Sequence, residues 1–313
     1  MKIVVTGAAG FIGSHVSERL LSDGHVVVGI DSFTSYYDPA LKERNVAGIA
    51  LPNFQIVRAD LSKDDLVEAV PSDTDFIFHF AAQPGISAAT SFEEYERNNI
   101  VATHRLLERA HALPALNGFV HISTSSVYGA MALGDEETPP RPTSYYGVTK
   151  LAAEQLVLAR ARTKKIPATA LRLFSVYGER ERPEKLFRKL IAAIAEGIPF
   201  PLYESSLDHK RSFTYVGDII DGCMTVLTRM DVCNGEILNI GTEEVHTTRE
   251  GIALVEEIMK KKGVFENLPP RPGDQSETRA NITKAKRILE YSPKTTLRQG
   301  LEKQVAWYQK TTR

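Results

Sequence analysis

The sequence predicts an α/β protein, a doubly wound parallel sheet with a smaller C-terminal α/β lobe. Two observations carry this. Short, continuously apolar segments alternate with amphipathic ones over the first 175 residues, and the first apolar segment runs directly into a glycine-rich turn. Strands that are apolar along their whole length are buried on both faces, which happens when helices cover both sides of a parallel sheet.

The elements follow in order. "KIVVTG" reads as a strand, Gly13 to Leu21 as a helix and "HVVVGID" as a second strand. "FQIVRAD", "DFIFHFAA", "GFVHIST" and "ATALRLFSVYG" repeat the strand pattern. Residues 92–112 and 145–164 place apolar residues at three- and four-residue spacing and read as the two long helices. Beyond residue 175, prolines such as Pro183, Pro199, Pro201 and Pro269 punctuate shorter helices. A division follows, with residues 1–175 as the sheet domain to which 212–237 returns, and 176–211 with 238–313 as the lobe.

Composition narrows the function classes. Lys plus Arg (38) nearly balances Asp plus Glu (39), which offers no surface for nucleic acid. No apolar run approaches the ~20 residues of a membrane span. Cys223 and Cys233 are the only cysteines, and they form neither a disulfide framework nor a metal-binding pair, so no metal is expected. "MKIVVTGAAG" enters its strand at once, without the charged and apolar regions of a signal peptide. A cytoplasmic enzyme is the expectation.

"GAAGFIG" supplies Gly7, Gly10 and Gly13, with Phe11 and Ile12, between the first strand and the first helix. Asp31 ends the second strand 18 residues after Gly13. That context makes the glycines a dinucleotide (Rossmann) fingerprint: the turn is tight, and a diphosphate can reach the N–H groups and dipole of the helix N-terminus. Asp31 would accept hydrogen bonds from the adenosine ribose and repel a 2′-phosphate, which favours NAD over NADP. "RADL" places Asp60, followed by Leu61, where an adenine amino group is read.

"YYGVTK" holds Tyr146 and Lys150 four residues apart on one helix face. A free tyrosine has a pKa of about 10, so a basic tyrosine near neutrality needs roughly three units of depression, about 4 kcal/mol. An adjacent ammonium and an oxidised nicotinamide together would provide it, and Lys150 would also hold the nicotinamide ribose. His15, His79 and His121 lie in or beside the sheet and read as structural.

With "TGAAGFIGSH", "HFAAQPG", "NNIVAT", "STSSVYG", "YYGVTK", "LRLFSVYG", "RSFTYVGD" and "LNIGT" in this order, the chain resembles the extended short-chain dehydrogenase/reductases, specifically their NAD-dependent nucleotide-sugar epimerase/dehydratase group. The resemblance implies that Thr124 bonds the sugar 4-hydroxyl, Tyr146 is the base and Lys150 its partner. It implies that Ala81, Ala82 and Asn99 lie along NAD and that Arg211 contacts the substrate diphosphate. Arg182 is expected near the sugar or diphosphate, and Arg271 and Asp274 near the nucleotide. The two long helices resemble those that pair as a four-helix bundle in family homodimers.

Residues 124–126 discriminate among the family's reactions. Dehydratases of the group carry Asp then Glu after the threonine, because eliminating water needs an acid and a base. Decarboxylases typically carry Ser then Glu. This chain has Ser125 and Ser126, which leaves 4-epimerisation. "DSFTSYYDPALKERN", "AAQPGIS" and "SVYGERERP" resemble the UDP-glucuronate 4-epimerases. Thr124, Ser125, Ser126 and Ser175 would then bond a C6 carboxylate without a second negative charge. Two features depart from that group: Gly85, Ile86 and Ser87 include no arginine, and no Gly-Asp-Gly precedes Arg211. A hexose or N-acetylhexosamine 4-epimerase and a glucuronate decarboxylase are the alternatives.

Overall fold

The computed structural model describes residues 1–49, 52–87, 89–269 and 275–311. Strands β1 (Lys2–Thr6), β2 (Val26–Asp31), β3 (Phe54–Arg58), β4 (Phe76–His79), β5 (Gly118–Thr124), β6 (Ala168–Leu173) and β7 (Ile237–Ile240) form one sheet in the order β7-β6-β5-β4-β1-β2-β3. Every pairing in it is parallel.

The two-residue period of a strand divides each apolar run between two faces. Ile3 and Val5 face a core that includes Val16 and Leu20 of helix α1 (Phe11–Ser22). Val4 faces the opposite core with Leu106 and Leu107 of α2 (Ala102–His111) and Val157 of α3 (Tyr145–Arg162). The chain builds outward from β1 to β3, then crosses back to place β4 on the other side of β1. At that reversal the connections leave in opposite directions and open a crevice at the carboxyl ends of the strands.

The predicted helix over 92–112 is broken into three parts. An α-turn at Phe92–Tyr95 passes into a π-helical stretch, Glu96–Val101, before α2 begins. Within the widened turn Asn99 is buried: its Oδ1 accepts from the Gln83 N–H at 2.7 Å and its Nδ2 donates to Thr149 Oγ1 at 3.0 Å. A uniform 3.6-residue period does not anticipate this local insertion.

The C-terminal region contributes α4 (Leu186–Glu196), α5 (Val216–Thr228), α6 (Thr248–Met259) and α7 (Leu297–Thr311). Pro199–Tyr203 pairs with Val264–Leu268, and four two-residue strands form a second small sheet. Phe187, Leu190, Val255, Leu301 and Val305 join the same core as Ile3 and Phe78, so lobe and sheet are cemented by one apolar interior. β7 begins at Ile237 and continues past that expected boundary to Ile240, beside β6. No described helix is long and apolar enough to cross a membrane.

Candidate active site

A cavity of about 620 Å³ opens at the carboxyl ends of the strands and extends beneath the C-terminal lobe. Among the described residues, every expected site residue lines it except Asn99. Arg271 and Asp274 lie outside the described residues.

The glycine turn is shaped for close approach. Gly7 adopts φ +70°, and a Cβ there would sit 2.8 Å from the Ala81 backbone nitrogen. A Cβ on Gly13 would overlap the Gly7 carbonyl oxygen. The N-terminus of α1 has no side-chain cap and no acidic residue in its first turn. Its N–H groups and dipole therefore face the cavity without an internal anion, a fit to a diphosphate. Asp31 is buried, with Oδ2 accepting from the Ala9 N–H (3.1 Å) and Oδ1 from the Phe33 N–H (2.8 Å). These bonds fix the carboxylate at the wall. Asp60 accepts from the Ser62 hydroxyl (2.6 Å) and N–H (2.9 Å). Partial burial opposes its ionisation, but those bonds and Lys63 outweigh it and hold the carboxyl below its usual range. These groups fit the diphosphate and adenosine ends of NAD. Asn99, expected along the cofactor, instead stands behind the wall as a tie between the Gln83 loop and α3, because the π-helical turn rotates it inward. Its neighbour Asn98 lines the cavity.

Beyond β5, Thr124 accepts from the Ser126 N–H at 3.2 Å and caps the short turn Ser125–Tyr128. Tyr146 comes to it from the first turn of α3, whose N-cap Ser144 accepts from Gly147 N at 3.1 Å. In this ligand-free geometry burial raises the Tyr146 pKa, while the Thr124 hydroxyl and the Arg182 charge pull the other way. The depression expected from Lys150 is therefore not supplied by the protein alone. Burial brings Lys150 down to about 7, against the attraction of Glu154, and its Nζ lies 3.4 Å from His121 Nε2.

On the lobe side, Ser175 holds φ +27°, a conformation unusual outside glycine and found where surrounding structure imposes it. Arg182 is largely buried; its Nε lies 3.3 Å from Glu184, and its Nη1 has no hydrogen-bond partner among the described residues. Arg211 lines the same cavity and donates to the Lys210 and Gln275 carbonyl oxygens.

Several lining residues were missed. Tyr36, Tyr37 and Lys42 fold over from the segment after β2, and the Lys42 ammonium donates to Thr34 O at 2.9 Å. Their stretch was singled out for its resemblance, without individual roles. Glu181 is buried at the cavity wall, and burial raises its carboxyl to about 7 despite a 2.7 Å bond from Gln304. Nothing in its sequence context signals that environment.

Residues 3–241 match the NAD dependent epimerase/dehydratase family. A Bacillus subtilis (strain 168) protein named as an uncharacterized UDP-glucose epimerase, YtcB, is 39% identical, with 98% of both chains covered. UDP-glucuronate 4-epimerase 4 of Arabidopsis thaliana is 33% identical over 98% of this chain and 75% of its own. The crystal structure of UDP-glucuronic acid 4-epimerase from Bacillus cereus, in complex with UDP-glucuronic acid and NAD, superposes with a TM-score of 0.94 at 38% identity. That superposition covers 99% of this chain and all of the other.

Proposed function

The chain belongs to the NAD dependent epimerase/dehydratase family, and from that premise we propose that it is a UDP-glucuronate 4-epimerase, interconverting UDP-glucuronate and UDP-galacturonate. The observation that carries this reading is the trio Thr124, Ser125 and Ser126 at the cavity wall beside Tyr146. It puts hydroxyls, and no carboxylate, where a dehydratase needs an acid and a base. The solved Bacillus cereus relative, with UDP-glucuronic acid in its complex, supports the same substrate.

Bound NAD supplies the hydride acceptor, and then the donor, for the sugar C4. Gly7, Gly10 and Gly13 would hold its diphosphate against α1, and Asp31 would hold its adenosine ribose. Tyr146 takes the proton of the 4-hydroxyl, which the Thr124 hydroxyl orients. The Lys150 ammonium stabilises the phenolate form of Tyr146, which this proton converts to the phenol. Inversion follows when the 4-keto sugar presents its opposite face and Tyr146 returns the proton. Ser125, Ser126 and Ser175 bond the C6 carboxylate, while Arg182 and Arg211 face the diphosphate. Charge-assisted bonds of this kind are the strong ones in a desolvated site.

Residues 1–175 with the returning segment form the cofactor half in this reading, and the lobe the nucleotide-sugar half. The functional unit is a homodimer. Phe92, Val101, Tyr145 and Val148 leave large apolar side chains exposed along the two long helical segments, with the Phe92 and Tyr145 rings 5.4 Å apart. Such a stripe fits burial against a second copy. Cys223 and Cys233 are free, buried thiols, in keeping with a reducing cytoplasm.

The test is incubation with UDP-glucuronate, with and without added NAD, followed by product separation. UDP-galacturonate without a UDP-pentose is the expected result. Turnover of UDP-glucose with none of UDP-glucuronate overturns the substrate assignment.

A further inference from the structure

We propose that His121 is a positioning residue for Lys150: its Nε2 accepts a hydrogen bond from the Lys150 ammonium and holds that charge at the cavity wall. The proposal deepens the functional reading above, because it rests on Lys150 serving Tyr146. It assigns a role to a histidine whose sequence context reads as structural.

The geometry starts from an inner strand. His121 lies in β5, with no exposure, directly below the Lys150 side chain of α3. The 3.4 Å between Lys150 Nζ and His121 Nε2 is long for a hydrogen bond, as catalytic contacts often are before ligand tightens a site. Buried ammonium groups need acceptors. Glu154, one turn along α3, has its carboxylate engaged by Arg172 and by the Ser123 hydroxyl. The other titratable group facing Lys150 is His79 on β4; Arg172 on β6 is paired with Glu154, and Tyr146 lies one turn back on the same helix.

The neighbouring hydrogen bonds settle which ring nitrogens carry protons. Thr103 donates its hydroxyl to the Asn99 carbonyl at 2.6 Å, so its oxygen is left to accept. His79 Nε2, 2.9 Å away, must therefore be the donor, and His79 Nδ1 accepts from the Thr6 hydroxyl at 2.7 Å. His79 is thus neutral and satisfied on both sides. His121 is its register partner on the next strand, with ring centroids 5.5 Å apart, and cannot share those bonds. His121 Nδ1 has no hydrogen-bond partner among the described residues. A buried donor without an acceptor is costly, and a phenylalanine would avoid that cost. What the imidazole provides and phenylalanine does not is an Nε2 lone pair aimed at Lys150. With the proton on Nδ1, that lone pair is available. Burial and the nearby Lys150 push the His121 pKa well down, so it stays a neutral acceptor where Lys150 titrates.

The experiment follows the titration of Lys150 itself. Modification of the purified protein by acetic anhydride is measured against pH, and the Lys150 peptide is quantified by mass spectrometry. His121→Phe is expected to lower the Lys150 midpoint by about one pH unit, a tenfold loss of ammonium at a given pH above it. His121→Gln, which keeps a side-chain acceptor, should return the midpoint toward the wild-type value. An unchanged midpoint in H121F overturns the proposal, as does a failure of H121Q to restore it. Should H121F not fold, ¹⁵N-histidine spectra of the wild type decide. His121 must be the Nδ1–H tautomer below the Lys150 midpoint, with an Nε2 resonance that moves in Lys150→Met; an Nε2–H tautomer there overturns the proposal. Neither readout uses a sugar nucleotide. A protein that passes both yet leaves UDP-glucuronate unchanged sinks the functional reading and not the His121–Lys150 contact.

Discussion

Arg172 grips Glu154 side-on in the interior, Nε to Oε2 at 2.9 Å and Nη2 to Oε1 at 2.6 Å, with both side chains sealed from solvent. Ser123 donates to the same carboxylate at 2.7 Å, and the guanidinium lies over the Tyr128 ring. The pair sits one helical turn beyond Lys150 and joins α3 to strands β5 and β6. Removing one partner of such a pair leaves an uncompensated buried charge, at a cost of about 3–5 kcal/mol. Arg172→Met should therefore unfold in urea with a loss of that order, while Glu154→Met/Arg172→Met should recover most of it. Equal losses in the single and double variants would show that packing, not charge pairing, sets the stability here.

The glycine turn makes a sharper prediction about cofactor than about stability. Gly13→Ala drives a methyl into the Gly7 carbonyl that shapes the diphosphate cradle. Gly48, at a helix C-cap with φ −69°, has only ordinary contacts around an added Cβ, the nearest at 3.7 Å. G13A should bind NAD at least about tenfold more weakly, a change of about 1.4 kcal/mol, and G48A should bind as the wild type does. Calorimetric titration with NAD checks both, and equal affinities would remove the cradle argument.

Glu181 gives a pH dependence with a definite sign. Burial raises its folded pKa from 4.5 to about 7, so between those values the folded state holds more proton than the unfolded one. Stability from this group is fully present below about pH 4.5 and is lost as pH rises through 7, by on the order of 3 kcal/mol. Glu181→Gln does not ionise. Its stability relative to wild type should rise between pH 5 and pH 7.5, measured by denaturant unfolding of the ligand-free protein. Parallel curves would mean that the carboxyl titrates normally. Lys150 works in the opposite direction, but only above pH 7, where the unfolded chain holds the extra proton.

Much of the site was legible because its parts are close in sequence. Gly7 to Gly13 occupy one strand–turn–helix, and Tyr146 and Lys150 share one helical face, so local spacing located them. Asn99 was legible as a motif residue, but its bonds to Gln83 and Thr149 were not, since the π-helical turn that buries it is a tertiary adjustment. Lys42, Glu181 and His121 show the other limit. Each reaches the site, or the wall behind it, through contacts made only after the sheet is wound, and a buried titratable group looks ordinary in a sequence. The lobe was predicted as a unit, but its shared core with the sheet depends on packing that proline punctuation does not reveal.

Ser126 offers the most direct test of why hydroxyls replace carboxylates at the cavity wall. Its N–H donates to Thr124, and its carbonyl backs onto Gly147, where an added Cβ would come within 2.7 Å. The backbone is thus held from both sides, and a new side chain at 126 has little freedom to retreat. A 4-keto uronic acid is a β-keto acid and loses carbon dioxide when its carboxylate is poorly held. Neutral donors stabilise that carboxylate, whereas a carboxylate at 126 repels it and favours the path in which its charge disperses. Ser126→Glu should raise the ratio of UDP-pentose to UDP-galacturonate on the order of tenfold, equivalent to about 1.4 kcal/mol between the two barriers. Ser126→Ala removes one donor without adding charge and should raise the ratio less. Products separated by anion exchange give the ratio directly. An unchanged ratio in S126E means that the serines pack at the wall without restraining the carboxylate, and an equal rise in both variants assigns the effect to the lost hydroxyl rather than to repulsion.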